Sequence, residues 1–123
     1  MPIKFGNIML KKDILRRKDD FTSIYKKGRS VGGKYVVLFY KKNGLSYNRI
    51  AFLASKKVGN SVERNRARRL MRENYRILKD DIRQGYDLIF IARNAINGKK
   101  SYDVGRSMTG SVSKANLLKR GSR

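Results

Sequence analysis

Residues Ser55 to Tyr75 read SKKVGNSVERNRARRLMRENY. Asn60 followed three residues later by Glu63 has the spacing of a capping box, in which each side chain satisfies a backbone N–H of the first turn. The pattern predicts a helix from about Ser61 to Lys79. At 100° per residue, Arg64, Arg68, Arg72 and Arg76 drift slowly around one side of it, rising about 6 Å per step and about 18 Å in all. Asn65 and Arg69 widen this stripe, and Ala67, Leu70, Met71 and Leu78 gather on the opposite side, where they can pack on a sheet. Like charges four residues apart destabilise a helix by a few tenths of a kcal/mol per pair. That cost makes sense if phosphates lie on the stripe, because guanidinium forks bind them bidentately. A face that serves solubility alone interleaves its signs, whereas here only Glu63 and Glu73 interrupt eight basic residues between Lys56 and Arg76. Nucleic-acid contact is the stronger reading. Lys56-Lys57 before Gly59 reads either as a plain basic loop or as a phosphate cradle at the helix N-terminus, where free N–H groups add to the field.

Outward from the helix, the chain alternates strand and helix signals. Residues 1–10 carry little pattern and read as a flexible leader. Lys11-Lys12 and Arg16-Arg17-Lys18 form a basic arm. Asp19 and Asp20 favour a helix N-terminus, Phe21, Ile24 and Tyr25 follow at helical spacing, and Gly28 ends the segment like a C′ glycine. A short edge strand at Arg29 to Val31 and a strand over residues 34–42 (KYVVLFYKK) come next. In the second of these, Tyr35, Val37 and Phe39 share one face and Val36, Leu38 and Tyr40 the other. Asn43-Gly44 signals a turn, making Asn48 to Ser55 the returning strand of a hairpin. Asp87 to Ala92 (DLIFIA) reads as a short buried strand. Val104, Met108, Val112 and Ala115 have helical spacing, although Gly105 and Gly110 each weaken a helix by about 1 kcal/mol, and residues 117–123 read as a frayed tail. One Pro and the lack of repeats or low-complexity tracts leave a single domain over residues 1–123.

Composition narrows the function. Thirty-one Lys and Arg face nine Asp and Glu, a net charge of +22. A folded chain of 14.2 kDa exposes about 6,800 Å², and self-repulsion at that charge density opposes compaction unless a polyanion relieves it. A small acidic substrate cannot do so; a nucleic-acid backbone can. Without Cys there is no disulfide framework, thiolate nucleophile or zinc ribbon, and without His the commonest general base and metal ligand is missing. The longest apolar run, Tyr35 to Tyr40, is far shorter than the roughly 18 residues of a membrane span, and no apolar h-region marks a secretory signal. The expectation is a cytoplasmic, polyanion-binding protein, the polyanion left open by composition, with no membrane association, no obligate protein partner, no metal site and no catalytic set of its own. A protein-only nuclease would need clustered carboxylates for Mg²⁺, and Asp19-Asp20 and Asp80-Asp81 sit at helix-terminal positions.

The block SKKVGNSVERNRARRLMRENY, with Arg64-Asn65-Arg66 at its centre, resembles the signature of the bacterial ribonuclease P protein subunit. The likeness runs back through DDFTSIYKKGRSV and forward to YDLIFIAR, covering about residues 10 to 95 in the same order. It implies an α+β fold: a single-domain α-β sandwich of order αβββαβα with the rare left-handed βαβ crossover, an arrangement like ribosomal protein S5 domain 2. It also implies a role, that of binding the catalytic RNA of ribonuclease P and helping it remove 5′ leaders from precursor tRNA, with Mg²⁺ held mainly by the RNA. Carried over position by position, the resemblance implies catalytic-RNA contacts at Lys56, Lys57, Asn60, Arg64, Asn65, Arg66, Arg68, Arg69 and Arg72. It further implies a leader-binding cleft formed by Phe21, Tyr25, Lys26, Val37 and Phe39. Phe39 stands where the family often has Tyr, keeping the stacking face without the hydroxyl. A structural RNA-binding protein, such as a small ribosomal protein, fits charge and size equally well, and only the signature block separates the two.

Overall fold

The computed structural model describes residues 10–119. Along the chain lie α1 (Lys18–Lys27), β1 (Arg29–Gly32), β2 (Val36–Lys42), β3 (Arg49–Leu53), α2 (Ser61–Leu78), β4 (Tyr86–Ala92) and α3 (Ser101–Lys114). The strands form one mixed sheet in the order β1-β2-β4-β3, with β2 antiparallel to both neighbours and β3 parallel to β4.

The main helix begins where its capping box predicts. Asn60 Oδ1 accepts from the Glu63 N–H and Glu63 Oε1 accepts from the Asn60 N–H, each at 2.9 Å. Gly59 makes this possible: its φ is +146°, and a Cβ there would collide with the Glu63 carboxylate. Gly28 also ends α1, but not as a left-handed C′ residue, since its φ is −84°. Its requirement is space, because a Cβ would lie 2.5 Å from the Ile24 carbonyl oxygen and 2.6 Å from that of Tyr40.

The hairpin expected from Asn43-Gly44 does not form. β2 pairs with β4 instead, Val36 to Lys42 against Ala92 to Tyr86, and β3 lies beyond β4. Strands sit about 4.8 Å apart, so the chain must step over one whole strand, and a two-residue turn is too short for that. Asn43 organises the longer loop: its Oδ1 accepts from the Leu45 N–H, and its amide donates to the Tyr47 carbonyl and to Asp87 Oδ1. The central place goes to β4 because its unbroken apolar run, with Leu88, Ile89 and Phe90 fully buried, can be covered on both faces.

Alternation along the strands then builds two unequal cores. Val36, Leu38, Ile50, Leu88, Phe90 and Ala92 meet α2 and α3 through Ala67, Leu70, Met71, Tyr75, Leu78, Val104, Met108 and Val112. On the other face Ala51 and Ile89 meet only Leu15 and Ile24, with Phe21, Phe39, Leu53 and Ile91 half-buried around them. The basic arm is anchored rather than free, since Leu15 is buried, its N–H donates to the Ile50 carbonyl, and Ile14 bridges to Ile50. The tail also departs from expectation. Leu117 is 2 % exposed, its carbonyl accepts from the Arg83 N–H at 2.7 Å, and Leu118 bridges to Ile82. Apolar Leu117 and Leu118 close the open end of the larger core, so 117–119 is ordered; 120–123 and the leader residues 1–9 lie outside the described residues.

Candidate nucleic-acid interface

On α2 the arginines do not all share one side. Ala67, Leu70, Met71, Tyr75 and Leu78 are buried, Arg64, Arg66, Arg68 and Arg72 are half-buried, and Asn65, Arg69 and Arg76 are exposed. The stripe therefore starts at the core margin with Arg64 and winds outward toward Arg76. Arg66 occupies the other flank, where its guanidinium donates to the Lys99 carbonyl. Arg64 donates to the Gly59 carbonyl at 2.8 Å, and Arg68 donates to Asn65 Oδ1. Among the described residues both ion pairs belong to Arg49, so no arginine of α2 is matched by a carboxylate. Protein oxygens aim three guanidinium groups while leaving their charge uncompensated, which suits phosphate ligands.

The turn before α2 is held from beneath. Val58 is buried, its N–H donates to the Ser55 carbonyl at 3.0 Å, and its own carbonyl accepts from the Asn97 amide. Lys56 and Lys57 are left exposed beside the helix N-terminus. Asn60 is engaged in capping, so its role there is to position that N-terminus.

A second surface lies across the sheet. The register aligns Ser30, Phe39, Ile89 and Ala51 in one cross-strand row and Gly32, Val37, Ile91 and Leu53 in the next. α1 sits on the first row through Phe21 and Ile24. Val37, Ile91 and Leu53 stay only half-buried and form an open floor of sheet beside the helix. Tyr25, 43 % exposed, meets Phe39 edge-to-face at 5.1 Å between ring centroids, and partial burial pushes its hydroxyl pKa up. Lys26 is exposed next to it in the last turn. All five residues expected in this cleft thus lie on α1 or on the adjoining sheet face. Leu53 and Ile91 escaped the sequence reading, because their place in the floor depends on β4 lying between β2 and β3.

A polar clamp fixes α1 to the sheet. Arg49 grips Asp87 bidentately, Nε to Oδ1 at 2.8 Å and Nη2 to Oδ2 at 2.7 Å, and reaches Asp20 on α1 at 3.4 Å. Asp87 is 4 % exposed and takes a further bond from the Asn43 amide. Its hydrogen bonds raise the Arg49 pKa above the usual arginine value. Arg49 and Asp87 were not singled out in the sequence, since a lone Asp opening an apolar strand carries no signal of its partner.

Residues 9–116 match the profile of the family described as Ribonuclease P. The chain belongs to the ribonuclease P protein family. The ribonuclease P protein component of Clostridium botulinum is 40 % identical over 109 residues, covering 88 % of this chain and 98 % of that protein. The structure of the Staphylococcus aureus RNase P protein superposes with a TM-score of 0.79 at 30 % identity, over 87 % of this chain and 98 % of the other. That of the Thermotoga maritima RNase P protein gives 0.75 at 29 % identity, over 81 % and 94 %. As a ribonuclease P protein the chain is a subunit of an endoribonuclease of tRNA 5′ maturation, and its partner is the ribonuclease P RNA. Among the described residues no three His, Cys, Asp or Glu side chains converge as metal ligands, and Asp20 and Asp87 are both engaged by Arg49. No described helix is long and apolar enough to cross a membrane.

Proposed function

We propose that the chain uses its two surfaces for two RNAs: α2 and its preceding loop for the catalytic RNA, and the cleft beside α1 for the 5′ leader of precursor tRNA. The first set comprises Lys56, Lys57, Arg64, Asn65, Arg66, Arg68, Arg69 and Arg72, with Asn60 holding the helix N-terminus in place. The second comprises Phe21, Tyr25, Lys26, Val37 and Phe39, on a floor extended by Leu53 and Ile91. The observation that carries this reading is the half-open Tyr25–Phe39 ring pair on the thinly covered face of the sheet. An unpaired leader base has a free π-face for such rings, worth about 1–3 kcal/mol per stacked base, whereas in a duplex the faces are covered by neighbouring bases. Lys26 supplies a cation for the leader phosphate. On this reading Mg²⁺ is held mainly by the RNA, which performs the phosphodiester chemistry. The protein's cations lower the Mg²⁺ needed by neutralising phosphates, and the holoenzyme works in the cytoplasm without another protein.

Reconstitution with the cognate ribonuclease P RNA tests this. Cleavage of precursor tRNA should be rescued at low Mg²⁺ by protein and RNA alone. Arg64→Ala should weaken binding to the catalytic RNA and lower the salt slope by about 1. Phe21→Ala should lower affinity for leader-bearing substrate about tenfold while sparing mature tRNA. Identical losses in both variants would refute the assignment of the two faces.

A further inference from the structure

Helices α2 and α3 leave between them a groove of about 640 Å³, lined among others by Ile77, Leu78, Tyr102, Gly110 and Leu118. This is the size of a small-ligand cleft. Ile77 is 80 % exposed and Tyr102 72 % exposed at its sides, so two large apolar side chains flank a cavity that stays open among the described residues. Gly110 is notable here. A Cβ added to it would meet nothing within 4 Å, so packing does not demand a glycine that weakens the helix. What its small size does provide is room in the groove.

The surroundings state what chemistry fits. The Arg106 guanidinium lies over the Tyr102 ring, 5.7 Å from its centroid. Arg106 also lines an adjacent hollow of about 290 Å³ with Lys34 and Tyr35. There the Tyr35 ring has the Lys34 ammonium at 5.7 Å and that of Lys99 at 5.6 Å. Asp103, in the same hollow, is occupied in capping, accepting from the Lys100 N–H at 3.1 Å. Among the described residues, Asp81 is the one carboxylate lining the groove. Aromatic faces backed by cations are the elements from which proteins build platforms for unpaired bases. A second copy of a chain carrying +22 is a poor occupant, because Arg106, Lys34 and Lys99 would meet their own kind.

We propose that the α2–α3 groove receives an unpaired base of the ribonuclease P RNA, stacked on Tyr102, with Arg106 and the neighbouring lysines meeting its phosphates. One wall of the groove is α2 itself, so the base would belong to the RNA held on the arginine face, not to the leader across the sheet. The inference rests on the proposed placement of the catalytic RNA on α2, yet it fails independently of it.

The test is affinity for the cognate ribonuclease P RNA over a salt series, with sedimentation of the free protein alongside. Tyr102→Ala, at an exposed position, and Gly110→Leu, which fills the groove without meeting a neighbour at its Cβ, should each weaken binding about tenfold. Because stacking releases no counterions, their salt slopes should match that of the wild type, unlike that of Arg64→Ala. Tyr102→Phe should bind as the wild type does. Undiminished affinity in Tyr102→Ala overturns the proposal whatever Arg64→Ala does, and an equal loss in Tyr102→Phe overturns stacking as its basis. Weak binding by Tyr102→Ala beside unaffected Arg64→Ala sustains the groove and removes the arginine face. A wild-type dimer that Tyr102→Ala dissolves, with RNA affinity unchanged, assigns the groove to a second copy and overturns the proposal.

Discussion

The two faces of the sheet differ in how completely they are covered. Toward α2 and α3 the β4 side chains Leu88, Phe90 and Ala92 are sealed, and Phe90 packs against Phe52 and Tyr75 with ring centroids 6.2 and 6.3 Å apart. Toward α1 the cover is one short helix and Leu15 of the arm before it, and Val37, Phe39, Leu53 and Ile91 stay half-exposed. A sheet face left partly open forgoes apolar burial worth about 25 cal/mol per Å². The chain tolerates that loss because the opposite face is enough to fold it. The sealed face sets stability, and the open face is available to ligands.

The sharpest way to break this contrast is to truncate one aromatic on each side. Phe90→Ala should cost about 4 kcal/mol, as large-to-small core changes do. Phe39→Ala should cost less than half as much, while impairing cleavage of leader-bearing substrate. Equal destabilisation in urea melts would erase the distinction. Next in size is Arg49→Ala, which leaves Asp87 buried without its cation and should cost about 3 kcal/mol. Since Arg49 also reaches Asp20, its loss should increase protease cleavage near α1 before global unfolding, and uniform protection would show that the clamp does not secure the open face.

A smaller effect concerns charge. Sulfate at high concentration should raise Tm by several degrees by binding the native state, and less so in Arg64→Ala, if the arginines of α2 carry the repulsion. An equal rise in both would spread that repulsion over the whole molecule. The smallest effect tests the sealed face. Burial pushes the Tyr75 hydroxyl pKa above its ordinary 10.0. The unfolded chain therefore releases this proton first, and stability falls as pH rises past 10. Tyr75→Phe should remove that part of the alkaline loss, measured as the difference in Tm between pH 9 and pH 11.

Local signals in the sequence proved dependable where one element contains its own cause. The Asn60–Glu63 box, the arginine spacing and the run DLIFIA each describe a segment that needs no partner to be recognised. α3 was legible through Val104, Met108 and Val112 despite its glycines, one of which admits the Asn74 side chain. Pairing was not legible. Asn43-Gly44 has the chemistry of a tight turn, and Gly44 does adopt φ +74°, but the side-chain bonds of Asn43 shape a longer loop. From that one error follow the missed floor residues Leu53 and Ile91 and the missed Arg49–Asp87 clamp, because all depend on β4 lying beside β3. The spacing of Arg64, Arg68, Arg72 and Arg76 was legible within the helix, whereas the turn of Arg66 to the Lys99 carbonyl in the loop before α3 depends on tertiary packing and was not.

The strand order carries a consequence for synthesis on the ribosome. β4 is the last strand to be made, yet it joins β2 to β3. Until Ala92 has emerged, β1 and β2 can form only an isolated hairpin, which is marginal in water, and β3 has only the Ile14 bridge to steady its edge. The arginine helix is thus complete before the surface on which it packs exists. A nascent chain stalled ahead of Tyr86 would hold a strongly cationic, unsupported segment, and the central strand then acts as a late latch that joins the sheet on which α2 and, last, α3 can pack.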